Sequence, residues 1–163
     1  MPFWRLFYHV VWSTKGRQPL IDRHASGVII RTISAACEKN GIVLHAIATM
    51  PDHIHVAVSI PPSKDISRVI AQWKGASSHM LNHAEQMDGE HHFAWQTEYG
   101  IVSFSERHLD VVKAYINDQP RRHAGHAPFW DLLEEAGPYS ISTATPSPPT
   151  FDNSANSGRN DDL

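Results

Sequence analysis

The spacing of apolar residues divides the chain into seven predicted elements before residue 120. Four segments rich in β-branched or aromatic residues predict strands, and three segments with apolar residues three or four positions apart predict helices. The predicted strands are residues 3–13, 42–49, 53–60 and 100–103, and the predicted helices are residues 23–39, 64–82 and 106–119. Asp22 is placed to cap the first helix, and Asn40-Gly41 to end it.

The order of these elements indicates a fold class. The first six follow the β-α-β-β-α-β pattern of the ferredoxin-like α+β fold, an antiparallel sheet with helices on one face. Only Met50-Pro51-Asp52 separates the second and third strands, which predicts a hairpin. We expect the opposite face of the sheet to be free for a ligand, with the third long helix added at the C-terminal end.

Composition indicates one globular domain with a tail. The chain has 163 residues, of which 41% are apolar, enough for a single core. Residues 138–163 are rich in Pro, Ser, Thr and Asn, which predicts a domain over residues 1–137 and a disordered tail over residues 138–163. No apolar run approaches the roughly 20 residues that span a bilayer, and no secretory signal begins the chain.

Cysteine and charge narrow the function classes. Cys37 stands alone, which excludes an intramolecular disulfide and an all-cysteine zinc site and suits a reducing cytoplasm. The net charge of −3 argues against a nucleic-acid partner, because phosphate binding requires basic side chains. However, residues 1–80 carry nine basic and four acidic residues, whereas residues 81–137 carry four and ten. A basic front half is compatible with a bound polyanion.

Histidine is unusually frequent, with 12 residues, and two of these share one strand. Alternation in the strand from residue 53 points Ile54, Val56 and Val58 towards the helices and leaves His53 and His55 on the open face. Their side chains stand roughly 6.5 Å apart, a separation that one metal ion can bridge. The pair alone is a weak signal, because this many histidines give roughly one His-x-His pair by chance.

The surrounding residues make the signal specific. The segment Met50-Pro51-Asp52-His53-Ile54-His55-Val56 resembles the histidine-hydrophobe-histidine motif of the HUH endonucleases, in the form of the single-tyrosine transposases of insertion sequences and their REP-associated relatives. Further segments match this family in the same order: Phe7-Tyr8-His9-Val10-Val11-Trp12, Lys15-Gly16-Arg17, Lys74-Gly75-Ala76-Ser77-Ser78, Trp95-Gln96-Thr97-Glu98-Tyr99-Gly100 and Tyr115-Ile116-Asn117-Asp118-Gln119. The resemblance covers about residues 3–120.

This resemblance implies a DNA transposase that cuts and rejoins single-stranded DNA. A tyrosine hydroxyl forms a 5′-phosphotyrosine and releases a 3′-hydroxyl, and no nucleotide cofactor is needed because the covalent link keeps the phosphodiester energy. The resemblance implies that Tyr115 is the nucleophile. It makes His53, His55 and the side-chain oxygen of Gln119 the ligands of a divalent ion, Mg²⁺ or Mn²⁺, that polarises the scissile phosphate.

Helical spacing is consistent with these roles. Tyr115 and Gln119 are four residues apart and therefore share one face of the third helix. A helical wheel places a core stripe on Leu109, Val112 and Ile116, and puts Tyr115 at the flank of that stripe.

Candidate DNA contacts are basic side chains and small hydroxyl side chains: Lys15, Arg17, Arg68, Lys74, Ser77, Ser78, Arg121 and Arg122. The resemblance also implies a homodimer, recognition of hairpins near element ends, and a location with the nucleoid in a bacterial cytoplasm. No membrane partner is implied.

Several alternatives stay open at this level. The chain would also fit a domesticated hairpin-DNA-binding protein related to transposases, or a ferredoxin-like domain that binds a metal or small ligand without nucleic acid. His79 and His83, four residues apart, are either a zinc pair with His91 and His92 nearby or a solvated helix face. Asp52 either forms the turn or receives the outer N–H of a ligand histidine.

Overall fold

The computed structural model describes residues 3–84 and 92–122, with the backbone alone for residues 84 and 120–122. The predicted tail lies outside these ranges, and so does most of the segment at residues 83–92, whose polar composition predicts a loop. The described elements are β1 (Phe7–Ser13), α1 (Arg23–Lys39), β2 (Val43–Thr49), β3 (His53–Ser59), α2 (Ile66–Ala84), β4 (Gly100–Phe104) and α3 (Leu109–Arg122).

The four strands form one antiparallel sheet in the order β2-β3-β1-β4. The hairpin between β2 and β3 closes where the backbone N–H of Met50 donates to the carbonyl of His53 at 2.7 Å. Asp22 caps α1 by accepting from the Ala25 N–H at 2.7 Å, and Gly41 follows the helix with a φ of 65°. The predicted α+β fold is confirmed.

The main core lies between the sheet and the two helices α1 and α2. Alternating apolar side chains of β1 and β3 meet apolar stripes of both helices, and the Trp12 and Trp73 rings stack with centroids 6.3 Å apart. Buried members of this core include Val10, Trp12, Ile29, Ile33, Ile54, Val56, Val58, Ile70, Trp73 and Leu81. This core holds β3 flat against the helices, and so fixes which of its side chains face the other way.

The sequence had led us to expect that the opposite face of the sheet is free, but this face is covered by a helix. The helix α3 packs across β2 and β3 and buries a second apolar cluster there. Ala46, Ala48 and Ala57 are the sheet residues of this cluster, and Val112 and Ile116 come from α3. The alanines leave room for a helix to approach, and the apolar stripe of α3 requires cover from water.

Three predicted details were wrong. The strand β1 begins at Phe7 rather than at residue 3, and Phe3 is 85% exposed. In α2, the helical spacing of apolar residues predicts that Met80 packs on the buried stripe, but Met80 is exposed and Leu81 is buried, because the buried positions after Trp73 recur at every fourth residue. The third helix was predicted to end before Pro120 but continues to Arg122, since a proline removes one backbone donor without preventing the neighbouring helical bonds.

The described residues contain no helix with the length and apolarity to cross a bilayer.

Candidate active site

The two histidines of β3 lie between the sheet and α3. Ile54, Val56 and Val58 point into the core with α1 and α2, so His53 and His55 project from the other face. Both are buried, with 8% and 1% of their surfaces exposed, and their ring centroids are 5.1 Å apart at an interplanar angle of 71°. Strand alternation had indicated this orientation.

Asp52 contacts the first of these histidines and is itself contacted by an arginine. Its Oδ1 lies 2.6 Å from Nδ1 of His53, and its Oδ2 accepts from Nε of Arg17 at 3.1 Å. Partial burial opposes ionisation of Asp52, but the hydrogen bonds and charges of His53 and Arg17 outweigh it and hold the carboxyl pKa below its usual value. Asp52 is therefore an ionised acceptor at neutral pH. Its carbonyl also accepts from the Thr14 N–H, so it serves both in the turn and beside the histidine.

A third histidine, His9 of β1, contacts the second. Nε2 of His9 lies 3.0 Å from Nδ1 of His55. Burial lowers the pKa of His9 to about 4, so the imidazole is neutral at pH 7. Alternation along β1 predicts that His9 shares the open face, but the sequence indicates no role for His9, because its contact with His55 depends on the register between β1 and β3.

Tyr115 of α3 completes an aromatic cluster with these histidines. It is 3% exposed, and its ring centroid lies 6.0 Å from those of both His9 and His55, edge-on to each. The sequence had placed Tyr115 at the flank of the helix core. Instead it lies near the centre of the buried face, because Leu109 is only half-buried and the contact with the sheet extends over Gln119.

Gln119 lies one turn beyond Tyr115 and is fully buried. Among the described residues, neither its Oε1 nor its Nε2 has a hydrogen-bond partner. Leaving a buried amide without partners costs on the order of 1–3 kcal/mol, and a ligand that contacts this amide would remove that cost. The described residues contain no group of three His, Cys, Asp or Glu that could hold a metal ion, and the Gln119 oxygen is a candidate donor of another type to join His53 and His55.

The predicted DNA contacts are divided between two regions. Lys15 and Arg17 lie in a short 3-10 turn after β1, where Arg17 reaches Asp52 beside the histidines. The other described candidates belong to α2, on the face of the sheet away from the histidines: Arg68, Lys74, Ser77 and Ser78. The side chains of Arg121 and Arg122, in the last turn of α3, lie outside the described part.

Two of the α2 candidates contact the segment before β4. The Lys74 ammonium donates to the carbonyls of Gln96, Thr97 and Glu98 at 2.8–3.0 Å. Ser77 is fully buried and accepts from Nε1 of Trp95 at 2.9 Å. These side chains join α2 to the segment before β4.

The alternative zinc pair on α2 has limited support. The His79 and His83 rings lie 4.2 Å apart, and both residues are exposed. No third His, Cys, Asp or Glu joins them among the described side chains, and the neighbouring His91 lies outside the described residues.

Comparison with known proteins gives the family. Residues 2–119 match the family described as IS200-like transposase. The chain belongs to the IS200-like transposase family. It is 32% identical over 124 residues to the ISDra2 transposase TnpA of Deinococcus radiodurans, covering 71% of this chain and 85% of that protein. It is 33% identical over 81 residues to the IS200 transposase of Salmonella typhimurium, covering 48% of this chain and about half, 51%, of that relative.

Solved structures support the same assignment of fold. A putative transposase from Deinococcus radiodurans R1 superposes on this IS200-like transposase with a TM-score of 0.57 at 28% identity, covering 72% of this chain and 93% of that one. A REP-associated tyrosine transposase bound to a REP hairpin superposes with a TM-score of 0.56 at 16% identity, covering 76% and 74%. The protein is therefore a transposase, and transposases cleave and rejoin DNA.

Proposed function

We propose that this IS200-like transposase cleaves and rejoins single-stranded DNA through a 5′-phosphotyrosine at Tyr115. The observation that carries the proposal is the packing of Tyr115 against His55, with ring centroids 6.0 Å apart, on the face of the sheet where His53 also projects. The ring of Tyr115 is thereby held beside imidazoles, which are groups that bind metal ions and move protons.

The reaction balances without a nucleotide cofactor. The Tyr115 oxygen forms a bond to phosphorus and gives up its proton, while the bond from phosphorus to the 3′-oxygen breaks and that oxygen takes a proton. The product is a 5′-phosphotyrosine and a free 3′-hydroxyl. Attack by a 3′-hydroxyl on the phosphotyrosine reverses the step and rejoins DNA, because the covalent link keeps the energy of the phosphodiester.

We further propose that His53, His55 and Gln119 bind a divalent ion, Mg²⁺ or Mn²⁺. The fit is supported by the buried Gln119 amide, which has no hydrogen-bond partner among the described residues, and by Asp52 and His9, each of which contacts Nδ1 of one histidine. Oxygen donors suit Mg²⁺, and imidazoles suit Mn²⁺. When bound, the ion supplies Lewis-acid stabilisation to the scissile phosphate.

The substrate we propose is single-stranded DNA that carries hairpins. One structural neighbour was solved bound to a REP hairpin, and the family acts on DNA. Lys15 and Arg17 would contact phosphates beside the histidines, and Arg121 and Arg122 would extend this basic surface at the end of α3. Arg68 would contact phosphates separately, on the exposed side of α2. Lys74, Ser77 and Ser78 would instead act by supporting the fold, since Lys74 and Ser77 join α2 to the segment before β4. We propose a homodimer that works on DNA in the bacterial cytoplasm.

The deciding experiment looks for the covalent adduct. The protein is mixed with labelled single-stranded hairpin oligonucleotides and Mn²⁺ or Mg²⁺, and a denaturing gel is examined for a protein–DNA band. The band is expected with the wild type and with Tyr99→Phe, a matched control in the segment before β4, where the Lys74 ammonium lies over the ring. The band is expected to disappear in Tyr115→Phe and after chelation of the metal.

Two results would overturn the proposal. One is a band that persists in Tyr115→Phe. The other is the absence of a band for every hairpin tried. If the protein binds hairpins but forms no adduct, it is a domesticated binding protein instead.

A further inference from the structure

His9 is a buried histidine that is neither the proposed nucleophile nor one of the proposed metal ligands. It lies on β1, on the same face of the sheet as His55, and only 1% of its surface is exposed. The strand register pairs His9 with Ala57 and Val11 with His55, so the two histidines are diagonal neighbours across the β1–β3 ladder. The small Ala57 side chain leaves space for this contact.

The contact has the geometry of an imidazole–imidazole hydrogen bond. Nε2 of His9 lies 3.0 Å from Nδ1 of His55, the ring planes are 25° apart, and the centroids are separated by 5.2 Å. The two nitrogens therefore meet edge to edge, close to the plane of both rings. This is the direction in which a ring N–H and a ring lone pair point.

In such a pair one nitrogen donates and the other accepts, so the contact selects a tautomer. An imidazole that binds a metal ion presents a lone pair on one nitrogen and carries its proton on the other. Since Nδ1 of His55 faces His9, the nitrogen that a metal ion would take is Nε2. The neighbouring His53 is held in the same tautomer, with its proton on Nδ1, because this nitrogen lies 2.6 Å from the carboxylate of Asp52, which can only accept.

We propose that His9 is a positioning residue whose Nε2 accepts the hydrogen bond of the His55 Nδ1–H, which fixes the tautomer that leaves the lone pair on Nε2 of His55. This inference rests on the proposed function, because it gives His9 a part in preparing the proposed metal site. The sheet thus supplies one fixed acceptor to each of the two histidines, Asp52 to His53 and His9 to His55.

Removing the acceptor has a direct consequence. Without Nε2 of His9, as in His9→Phe, a proton on Nδ1 of His55 would be a buried donor that faces an apolar side chain, which is costly. The proton would then favour Nε2, and a metal ion would have to displace it before binding. Loss of such an outer contact typically weakens metal binding by about 10- to 100-fold.

The first test reads the tautomer directly in the metal-free protein. Long-range ¹H–¹⁵N spectra of histidine-labelled protein distinguish a proton on Nδ1 from a proton on Nε2, and the His55 signals are assigned by their loss in His55→Gln. We expect Nδ1 of His55 to be protonated in the wild type. A proton on Nε2 would overturn the inference.

The second test measures Mn²⁺ binding by the paramagnetic resonance signal of the free ion. His9→Phe keeps a ring but no acceptor, and is expected to bind Mn²⁺ about 10- to 100-fold more weakly than the wild type. His9→Gln keeps an acceptor near the position of Nε2 and is expected to stay within about threefold. Unchanged binding in His9→Phe would contradict a positioning role.

A matched control comes from the same face of the sheet. His45 of β2 contacts Ser59 with its Nε2 at 2.8 Å and is not among the proposed ligands. His45→Phe is therefore expected to bind Mn²⁺ like the wild type. An equal loss in His45→Phe and His9→Phe would show a general effect of removing a histidine from this face and would overturn the inference.

The two proposals fail in distinguishable ways. If the wild type forms no covalent adduct, the proposed function fails, and the tautomer spectrum still decides the inference about His9. If the adduct forms but Nε2 of His55 carries the proton, only the inference fails. Thermal unfolding establishes that each variant is folded, and if His9→Phe is not, the wild-type tautomer and His9→Gln decide the outcome.

Discussion

At the level of one residue, the burial of the Gln119 side chain is unfavourable for stability. Its amide is fully buried, and neither of its polar atoms has a hydrogen-bond partner among the described residues. A hydrophobic side chain of similar size would pack there without that cost. A glutamine at this position is explained if its oxygen binds a ligand, which is the role proposed above.

Replacing this residue gives a prediction with two opposite effects. Gln119→Met is expected to raise the free energy of unfolding of the metal-free protein by about 1–2 kcal/mol, because a buried unsatisfied amide is removed, and to abolish the covalent adduct. Urea denaturation and the adduct gel measure the two effects. Asn117→Met, an exposed change on the same helix, is the control, expected within about 0.5 kcal/mol. A clear loss of stability in Gln119→Met would contradict the explanation.

Cys37 is buried in the main core, and burial raises the pKa of its thiol from 9.0 to about 12. The folded protein therefore keeps the thiol neutral at a pH where the unfolded chain loses the proton. Stability is fully present below about pH 9 and falls as the pH rises towards 12. Between pH 8 and pH 10 the wild type is expected to lose about 1 kcal/mol more than Cys37→Ala in urea denaturation. Parallel pH profiles of the two proteins would contradict this expectation.

At the level of elements, the segment before β4 is joined to both the sheet and α2. Its backbone runs along the end of β1, where the Gln96 N–H donates to the Ser13 carbonyl and the Lys15 N–H to the Ala94 carbonyl, both at 2.9 Å. The ammonium of Lys74 then holds three successive carbonyls of the segment. Burial lowers the Lys74 pKa to about 8, against the opposing charge of Glu98, so Lys74 is mainly protonated at pH 7.

Removing the Lys74 ammonium tests this connection. Lys74→Met keeps most of the aliphatic chain and loses three charge-assisted hydrogen bonds, so the free energy of unfolding is expected to fall by about 1–2 kcal/mol at pH 7. Urea denaturation provides the measurement. Lys15→Met, at an exposed position of the turn after β1, is the matched control and should change stability by less than about 0.5 kcal/mol. Equal stabilities of the two variants would exclude a structural role for Lys74.

At the level of the whole molecule, the sheet separates the main apolar core from the face that carries the proposed active site. The helices α1 and α2 cover one face with an apolar core, while α3 covers the other face and meets the histidines there. The family match extends to residue 119, near the end of α3, and the composition of residues 138–163 offers little to bury. From these observations we predict that the residues before the predicted tail are sufficient for folding and for the proposed chemistry.

Truncation tests that division. A chain that ends at Gly137 is expected to unfold within about 0.5 kcal/mol of the full chain and to form the adduct at a rate within about twofold, because a polar tail adds few contacts. Urea denaturation and a time course of adduct formation measure these quantities. A loss of the adduct on truncation would show that the tail takes part in DNA binding or catalysis.

The sequence by itself determined the element order, the fold class and the orientation of His53 and His55. Helical and strand periodicities are local properties, and the Asp22 cap and the Asn40-Gly41 stop act within a few residues of chain. The motifs and their order were also enough to indicate the transposase family, which the comparisons confirmed. The chemical roles of Tyr115 and the proposed ligands are still predictions.

Only the tertiary structure decided which distant residues meet. The contact of His9 with His55 depends on the β1–β3 register, and a shift of one residue would turn His9 to the other face. The burial of Tyr115 and Gln119 depends on where α3 lies on the sheet, which the alanines of β2 and β3 permit but no local pattern specifies. Periodicity states which side of an element is apolar, whereas register and packing determine what that side contacts.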